Sequence, residues 1–208
     1  MRVFALDTTL NRCSVAVLDD GVVLACIAEA MVRGHAERLA PMAAEAMTEA
    51  NAAFASIDRI VVTTGPGSFT GLRVGLAFAR GLALALARPC IGVSTLEALA
   101  LERGESGVRA AVIGGGGEIY LAIYRDGAPV TAPMRMSVDD AGAALGALGG
   151  AAGKPASIRG PVAGQFGGEQ TEGPDIVALA RRGAGLAAAD HRPDPLYLRG
   201  PDAKLPAK

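Results

Sequence analysis

The chain has 208 residues, of which 50% are hydrophobic and 4% aromatic, with no tryptophan and a formal net charge of −1. This length suits one large domain or two small lobes around a core of Ala, Val, Leu and Ile. A net charge near zero argues against strong non-specific attraction to nucleic acid or to an anionic membrane. Cys13, Cys26 and Cys90 have no metal-ligand spacing, which favours small buried thiols in a reducing compartment. The N-terminal apolar run is too short for a signal peptide, so we expect a cytoplasmic protein.

Three antiparallel strands are predicted first. Residues 3–6 form an apolar run closed by Asp7, as expected of a strand buried on both faces. The apolar runs 13–18 and 22–28 are joined by an Asp-Gly turn, which is a strong hairpin signal.

Helices then alternate with strands. Apolar residues recur on one helical face between Leu39 and Ala50, and Pro41 either kinks that helix or lies in its first turn. The remaining predicted elements are strands at 59–64, 90–93, 110–113 and 119–124, and helices at 70–87, from the capping residue Ser94, at 138–148 and at 176–189. The Gly/Ala-rich stretch 142–168 gives no clear element boundaries.

This order of elements is the pattern of a ribonuclease-H-like domain, which actin-like kinases and chaperones share. We therefore expect an α/β protein with the two-lobed actin-like ATPase fold. The predicted parts are an N-terminal lobe at 1–104, a smaller and degenerate C-terminal lobe at 105–199, and a flexible tail at 200–208.

The glycine-rich loop 65–71 lies between a strand and a helix, where backbone N–H groups favour an anion. It fits neither a Walker A loop, since Leu72-Arg73 follows Gly71, nor a dinucleotide fingerprint. A tight turn that aims the next helix is the structural alternative.

Gly71, Gly75 and Ala79 recur every four residues and form a stripe almost without side chains on the helix after the loop. Each glycine inside a helix costs about 1 kcal/mol relative to alanine, so close approach of another backbone is expected. With Arg73 and Arg80 beside it, the stripe is either a docking surface or an intradomain packing contact.

Asp7, Thr8 and Thr9 end the first strand, where actin-like ATPases manage a metal ion and cradle phosphate. The turn here has no glycine before Gly21, so any phosphate contact through these three residues would be weak. His35 and His191 are the only histidines, and no cluster of His, Cys and carboxylates has metal-ligand spacing. The four glycines 114–117 suit a flexible hairpin better than a phosphate loop.

Several segments together resemble the TsaB (YeaZ) family. These are Ala5-Leu6-Asp7-Thr8-Thr9 with Cys13-Ser14-Val15-Ala16, His35-Ala36-Glu37-Arg38 with Leu39 and Pro41, the run from Gly65 to Gly75, Ile91-Gly92-Val93-Ser94-Thr95-Leu96, and Pro195 with Tyr197-Leu198-Arg199. The likeness is dense up to about residue 100 and thin from about 125 to 190. One departure is Ile113-Gly114-Gly115-Gly116, which replaces an Asp-Ala-Arg-type segment.

The resemblance implies a role in making threonylcarbamoyladenosine at position 37 of tRNA. It implies a TsaD-type paralogue as the catalytic partner, a TsaE-type ATPase, a homodimer when the chain is alone, and contact with tRNA only through the complex. It implies no tightly bound cofactor in the isolated chain, with ATP or ADP as a candidate at the interface with the paralogue.

The implied partner interface lies on the two helices of the first lobe. Its predicted residues are His35, Glu37, Leu39, Met42, Gly67, Phe69, Thr70, Gly71, Arg73, Val74, Gly75, Phe78 and Ala79. The catalytic paralogue carries two metal-binding histidines after its matching strand, and Thr95 and Leu99 stand at those positions here. The resemblance therefore implies a subunit that is not itself an enzyme.

Two other functions compete with this one. The first is an enzyme acting alone, either an actin-like ATPase or kinase or a glycoprotease-type metallopeptidase. The second is a homodimeric scaffold with no paralogue.

Overall fold

A computed structural model describes residues 1–101, 107–151 and 157–198. The first sheet opens with β1 (Arg2–Leu10), β2 (Arg12–Asp19) and β3 (Val22–Ala30), which pair antiparallel in chain order. Asp20 and Gly21 have positive φ angles in the turn between β2 and β3, as a two-residue hairpin requires. The three predicted antiparallel strands are confirmed.

The crossover part of this sheet follows the predicted order. It comprises α1 (His35–Glu49), β4 (Arg59–Thr63), α2 (Phe69–Leu86), β5 (Cys90–Val93) and α3 (Thr95–Ala100). β4 pairs parallel to both β1 and β5, so the strand order is β3-β2-β1-β4-β5. Pro41 lies inside α1, so its placement in the first turn is wrong.

Apart from the last helix, the described elements after α3 form the second sheet and the helix that accompanies it. Its elements are β6 (Val108–Gly115), β7 (Glu118–Arg125), β8 (Ala128–Pro129), β9 (Met134–Met136), α4 (Val138–Ala151), β10 (Ser157–Gly160) and β11 (Glu169–Gln170). The strand order is β11-β10-β6-β7-β8, and β9 also pairs with β7. Two mixed sheets with helices against them make the α/β, two-lobed actin-like fold that the sequence predicts.

The tetraglycine segment is a tight hairpin between β6 and β7. Gly114 and Gly115 belong to β6, while Gly116 and Gly117 both have positive φ angles in the turn. A Cβ atom on Gly114 would lie 2.8 Å from a methyl carbon of Val162, so this position has no room for a larger residue unless Val162 moves. The structure therefore favours the hairpin interpretation of 114–117.

The last helix, α5 (Ile176–Ala184), packs on the first sheet rather than the second. Its apolar side chains Ile176, Leu179 and Ala180 join one cluster with Ala5 of β1 and Val61 of β4. α1 and α2 cover the opposite face of the same sheet. The prediction that this helix continues to residue 189 is wrong, since it ends at Ala184 and Gly185 follows as its C-cap.

The first sheet therefore has helices on both faces. The helix on one of these faces, α5, comes from much later in the sequence than the strands that it covers. The domain boundary at 104/105 stays a prediction, and the predicted tail at 200–208 lies outside the described residues. Among the described helices, α2 alone has the length and apolar composition of a membrane span. One such helix is weak evidence for a membrane protein, because core helices pass the same test.

Candidate functional site

The end of β1 holds a buried polar cluster centred on Asp7. Asp7 is fully buried, and its Oδ1 accepts hydrogen bonds from the Thr9 hydroxyl (2.6 Å), the Thr9 backbone N–H (3.2 Å) and the Thr63 hydroxyl (2.5 Å). Within the described part of the chain, Asp7 Oδ2 has no hydrogen-bond partner. Burial raises the pKa of the Asp7 carboxyl, because desolvation disfavours its charged form.

The two threonines after Asp7 are equally enclosed. Thr8 donates its hydroxyl to the carbonyl of Gly71 at 2.7 Å, and Thr9 donates its hydroxyl to Asp7. Both side chains are buried. The phosphate contact through Asp7, Thr8 and Thr9 stays a prediction, and in the structure the three side chains are buried and hydrogen-bonded within the protein.

The start of α3 closes the same cluster. Thr95 accepts a hydrogen bond from the backbone N–H of Gly65 (3.1 Å) and donates its hydroxyl to Thr9 (3.2 Å). Leu99, one turn further on, belongs to an apolar core cluster with Leu10 of β1. At the two positions where the family resemblance implies metal-binding histidines in the paralogue, this chain therefore has a hydrogen-bonded hydroxyl and a core side chain.

The glycine-rich loop 65–71 packs directly on the end of β1. Ser68 donates its backbone N–H to the Thr9 carbonyl at 2.7 Å, and its side chain accepts from the Gly71 N–H as the N-cap of α2. Cβ atoms on Gly67 and Gly71 would lie 2.3 Å and 2.0 Å from the carbonyl oxygens of Thr9 and Thr8. These glycines permit a backbone contact inside the domain, so the tight-turn interpretation accounts for them.

The stripe on α2 continues this intradomain contact. A Cβ atom on Gly75 would lie 2.5 Å from the Thr8 hydroxyl oxygen, and Ala79 is fully buried. β1 occupies this side of the helix, so the structure favours the intradomain alternative for Gly71, Gly75 and Ala79 over docking.

Three predicted interface residues on α1 are also internal. Leu39 and Met42 lie in the core between α1 and the first sheet, and the buried His35 ring contacts the carbonyl of Leu10 through Nε2 at 3.2 Å. Helical periodicity places all three on the apolar face of α1, and that face packs on the sheet. The structure places these three side chains in the core, and their contact with a partner stays a prediction.

The other predicted interface residues reach the surface. Glu37, Gly67, Phe69, Thr70 and Arg73 are exposed, whereas Val74 and Phe78 are half-buried. The exposed charges differ between the two helices: α1 presents Glu37, Glu45 and Glu49, whereas α2 presents Arg73 and Arg80 and contains no acidic residue. We call one set of exposed side chains the α1–α2 face. It consists of Glu37, Glu45 and Glu49 of α1 and Phe69, Arg73, Arg80 and Leu84 of α2.

The C-terminal segment adds a part of this surface that periodicity does not reveal. Tyr197 lies against Phe69, with ring centroids 6.0 Å apart, and its hydroxyl accepts a hydrogen bond from Arg73 Nε at 3.4 Å. Tyr197 has no helical or strand pattern around it, and its only signal in the sequence is its place in the family-like segment near residue 195.

The cysteines fit their prediction only in part. Cys13 is buried, and burial raises the pKa of its thiol to about 11. Cys90 is half-buried, and burial raises the pKa of its thiol to about 12. Cys26 is exposed on β3, so the prediction of three buried thiols is wrong there.

Comparison with known proteins gives consistent matches. Residues 23–159 match the family model described as TsaD, tRNA N6-adenosine threonylcarbamoyltransferase. The chain is 40% identical to the tRNA threonylcarbamoyladenosine biosynthesis protein TsaB of Escherichia coli over 60% of its length. That match covers 55% of the E. coli protein, so it spans about half of that relative.

Two solved structures match almost the whole chain. A crystal structure of a Pseudomonas aeruginosa protein with similarity to the peptidase YeaZ has a TM-score of 0.76 and 30% identity, covering 95% of this chain and 99% of that one. The structure of YeaZ from Pseudomonas aeruginosa has a TM-score of 0.74 and 28% identity over the same shares. The chain therefore belongs to the family that the TsaD model describes, and within it to the TsaB/YeaZ group.

Proposed function

We propose that this chain is a non-catalytic subunit of the complex that adds a threonylcarbamoyl group to adenosine 37 of tRNA. In this role it binds and supports a TsaD-type paralogue, which carries the transferase site. Support for the pathway comes from family membership and from the name of the E. coli relative, a tRNA threonylcarbamoyladenosine biosynthesis protein.

The observation that carries the non-catalytic role concerns the start of α3, where Thr95 and Leu99 stand at the positions for which the family resemblance implies metal-binding histidines in the paralogue. The Thr95 hydroxyl is committed to Gly65 and Thr9, and Leu99 is packed in the core. Neither side chain is a zinc- or iron-type ligand, and the described residues contain no group of three or more His, Cys, Asp or Glu that could hold a metal ion. These residues favour a supporting role over transfer chemistry or metal-dependent peptide hydrolysis.

The proposed docking surface is the α1–α2 face. Leu84 and Phe69 on α2 are 84% and 57% exposed, so a partner that covered them would remove apolar surface from water. The model that matches residues 23–159 spans both helices, so a TsaD-type partner is expected to present a related pair. Carboxylates on α1 and arginines on α2 would then meet across an approximate two-fold axis, with opposite charges facing each other.

The same face accounts for the other proposed partners. A second copy of the chain presents the same complementary helices, so we propose a homodimer when the paralogue is missing. A TsaE-type ATPase and ATP or ADP would join through the assembled complex. With a net charge of −1, this subunit is expected to meet tRNA only through that complex, in the cytoplasm.

Reconstitution tests the proposal. Purified paralogue, TsaE-type ATPase, tRNA, ATP and the threonylcarbamoyl donor system are combined with and without this chain, and modified adenosine is measured. We expect modification only when the chain is present, and neither ATP hydrolysis nor threonylcarbamoyl transfer by the chain alone. Turnover by the isolated chain that Asp7→Ala abolishes would instead support an actin-like ATPase or kinase.

A further inference from the structure

Two aromatic side chains are much more exposed to solvent than the other aromatic side chains of the protein. The chain has five phenylalanines and three tyrosines, and all but two of these rings are buried or half-buried. The two exceptions are Phe69 (57% exposed) and Tyr197 (48% exposed), and they contact each other although they are far apart in the sequence. Exposed aromatic rings cost hydration free energy, so their pairing at one place on the surface calls for a function.

Arg73 makes these rings into one ordered unit. Its guanidinium carbon lies 3.8 Å from the centroid of the Phe69 ring, and its Nε donates to the Tyr197 hydroxyl. We call Phe69, Arg73 and Tyr197 the aromatic–arginine cluster. Tyrosine and arginine are the residue types most enriched at the centres of protein interfaces, and a preformed cluster loses little side-chain freedom on binding.

The segment that carries Tyr197 is fastened to the first sheet and to α2. Leu196 donates its backbone N–H to the Thr64 carbonyl at 2.7 Å. Arg80 donates to the Asp194 carboxylate at 2.8 Å and to the carbonyl of Pro193. Tyr197 is therefore held beside α2 by contacts other than its own ring.

We propose that Tyr197 completes the docking surface, and that the aromatic–arginine cluster binds a helix face of the TsaD-type paralogue that carries a carboxylate opposite Arg73. This inference rests on the proposed function. The charge follows from Arg73, since α2 has no acidic residue of its own and Arg80 already pairs with Asp194. The cluster is continuous with the α1–α2 face, because Phe69 and Arg73 belong to both.

The test measures binding of purified paralogue to the full-length chain and to Tyr197 variants. Tyr197→Ala is expected to weaken binding about 10-fold or more, as truncation of a central aromatic contact does. Tyr197→Phe keeps the ring and loses only the hydroxyl that positions Arg73, so it should weaken binding less than Tyr197→Ala, by about 2- to 5-fold. Both variants should melt at the wild-type temperature, because half of the ring is already in water.

Val130→Ala is the matched control, since Val130 is 52% exposed and lies beside the second sheet. It should bind the paralogue as the wild type does. Wild-type binding by Tyr197→Ala, an equal loss in Val130→Ala, or a loss that accompanies a lower melting temperature would overturn the inference alone. A wild-type chain that does not bind the paralogue would overturn the proposed function and this inference together.

Discussion

Substitution of two glycines on α2 tests whether the side of the helix that carries Gly75 packs inside the domain or docks a partner. A Cβ atom on Gly75 would lie 2.5 Å from the Thr8 hydroxyl oxygen, whereas one on Gly81 would meet nothing within 4 Å. Gly75→Ala should therefore lower the free energy of unfolding by about 1–3 kcal/mol through overpacking. Gly81→Ala should raise it by about 0.5–1 kcal/mol, because alanine favours the helix.

Urea unfolding followed by circular dichroism measures both variants, since the chain has no tryptophan. The larger variant Gly75→Leu should show the same loss of stability more strongly. A stable Gly75→Ala protein that fails to bind the paralogue would contradict the intradomain contact and restore the docking hypothesis for the stripe.

Asp7 gives a pH-dependent prediction. The pKa of Asp7 is higher in the folded protein than in the unfolded chain, so protonation of Asp7 favours folding. This contribution to the free energy of unfolding is complete when the pH is below the pKa of Asp7 in the unfolded chain. That contribution is lost as the pH rises through the folded pKa. At pH 7 a neutral Asp7→Asn side chain should therefore increase the free energy of unfolding, by about 1–3 kcal/mol for relief of a buried, incompletely paired charge.

Melting temperatures of Asp7→Asn and wild type between pH 4 and pH 8 check this prediction. The variant's advantage should shrink as the pH falls, because wild-type Asp7 then becomes protonated. Thr63→Val serves as the control, since it removes one hydrogen bond to Asp7 and should destabilise the protein at neutral pH. An Asp7→Asn protein less stable than wild type at pH 7 would show that the ionised carboxylate is favoured.

At the scale of elements, the docking of α5 depends on one arginine of β4. Arg59 Nη1 donates to the carbonyls of Gly183 (2.9 Å), Ala184 (3.0 Å) and Leu186 (2.6 Å) at and just beyond the C-terminal end of the helix, where intrahelical donors run out. Arg59→Met should lower the free energy of unfolding by about 1.5–3 kcal/mol. Arg181→Met, on the exposed side of α5, should cost about 0–1 kcal/mol.

Denaturant unfolding of the two variants provides the comparison. If Arg59→Met were as stable as Arg181→Met, the three carbonyl contacts would contribute nothing to the attachment of α5. The exchange of amide protons in α5 offers a second measurement, and protection there should fall first in Arg59→Met.

Elements with a strong local signal were predictable from the sequence. The Asp20-Gly21 turn, the Ser94 cap and the proline that follows α2 each act within a few residues, so the bounds of the first sheet came within a few residues of those in the structure. The attachment of α5 to the first sheet joins segments far apart in sequence, which periodicity cannot express. The Gly71–Gly75–Ala79 stripe correctly predicted that another backbone approaches α2 closely. The sequence near the stripe does not show whether that backbone belongs to β1 or to a partner protein.

At the scale of the whole molecule, the first strand and the last described segments lie at the first sheet. β1 lies at its centre, α5 covers one face, and residues 193–197 return beside α2. The Glu97–Arg182 ion pair, at 2.7 Å, also connects α3 to α5. The α1–α2 face is thus carried by a sheet braced from both sides, which suits a surface that must hold its shape while binding a partner.

The exposed α1–α2 face also predicts self-association of the isolated chain. We expect a second copy to bring Glu37 and Glu49 of one α1 near Arg73 of the other α2, and to bury Leu84, which is 84% exposed. Glu45 and Arg80 already form ion pairs within the chain, with Arg38 and Asp194. Analytical ultracentrifugation at concentrations on the order of tens of micromolar should show a dimer, the range expected for a weak interface. Leu84→Asp should weaken the dimer about 10-fold or more, because it puts a charge into the apolar part of the contact.

Raising the salt from about 0.1 M to about 1 M should weaken the charged contacts, since the screening length falls from about 10 Å to about 3 Å. Val130→Asp, beside the second sheet, is the control and should leave the dimer unchanged. A strict monomer at these concentrations, or equal effects of Leu84→Asp and Val130→Asp, would mean that the face does not pair with itself.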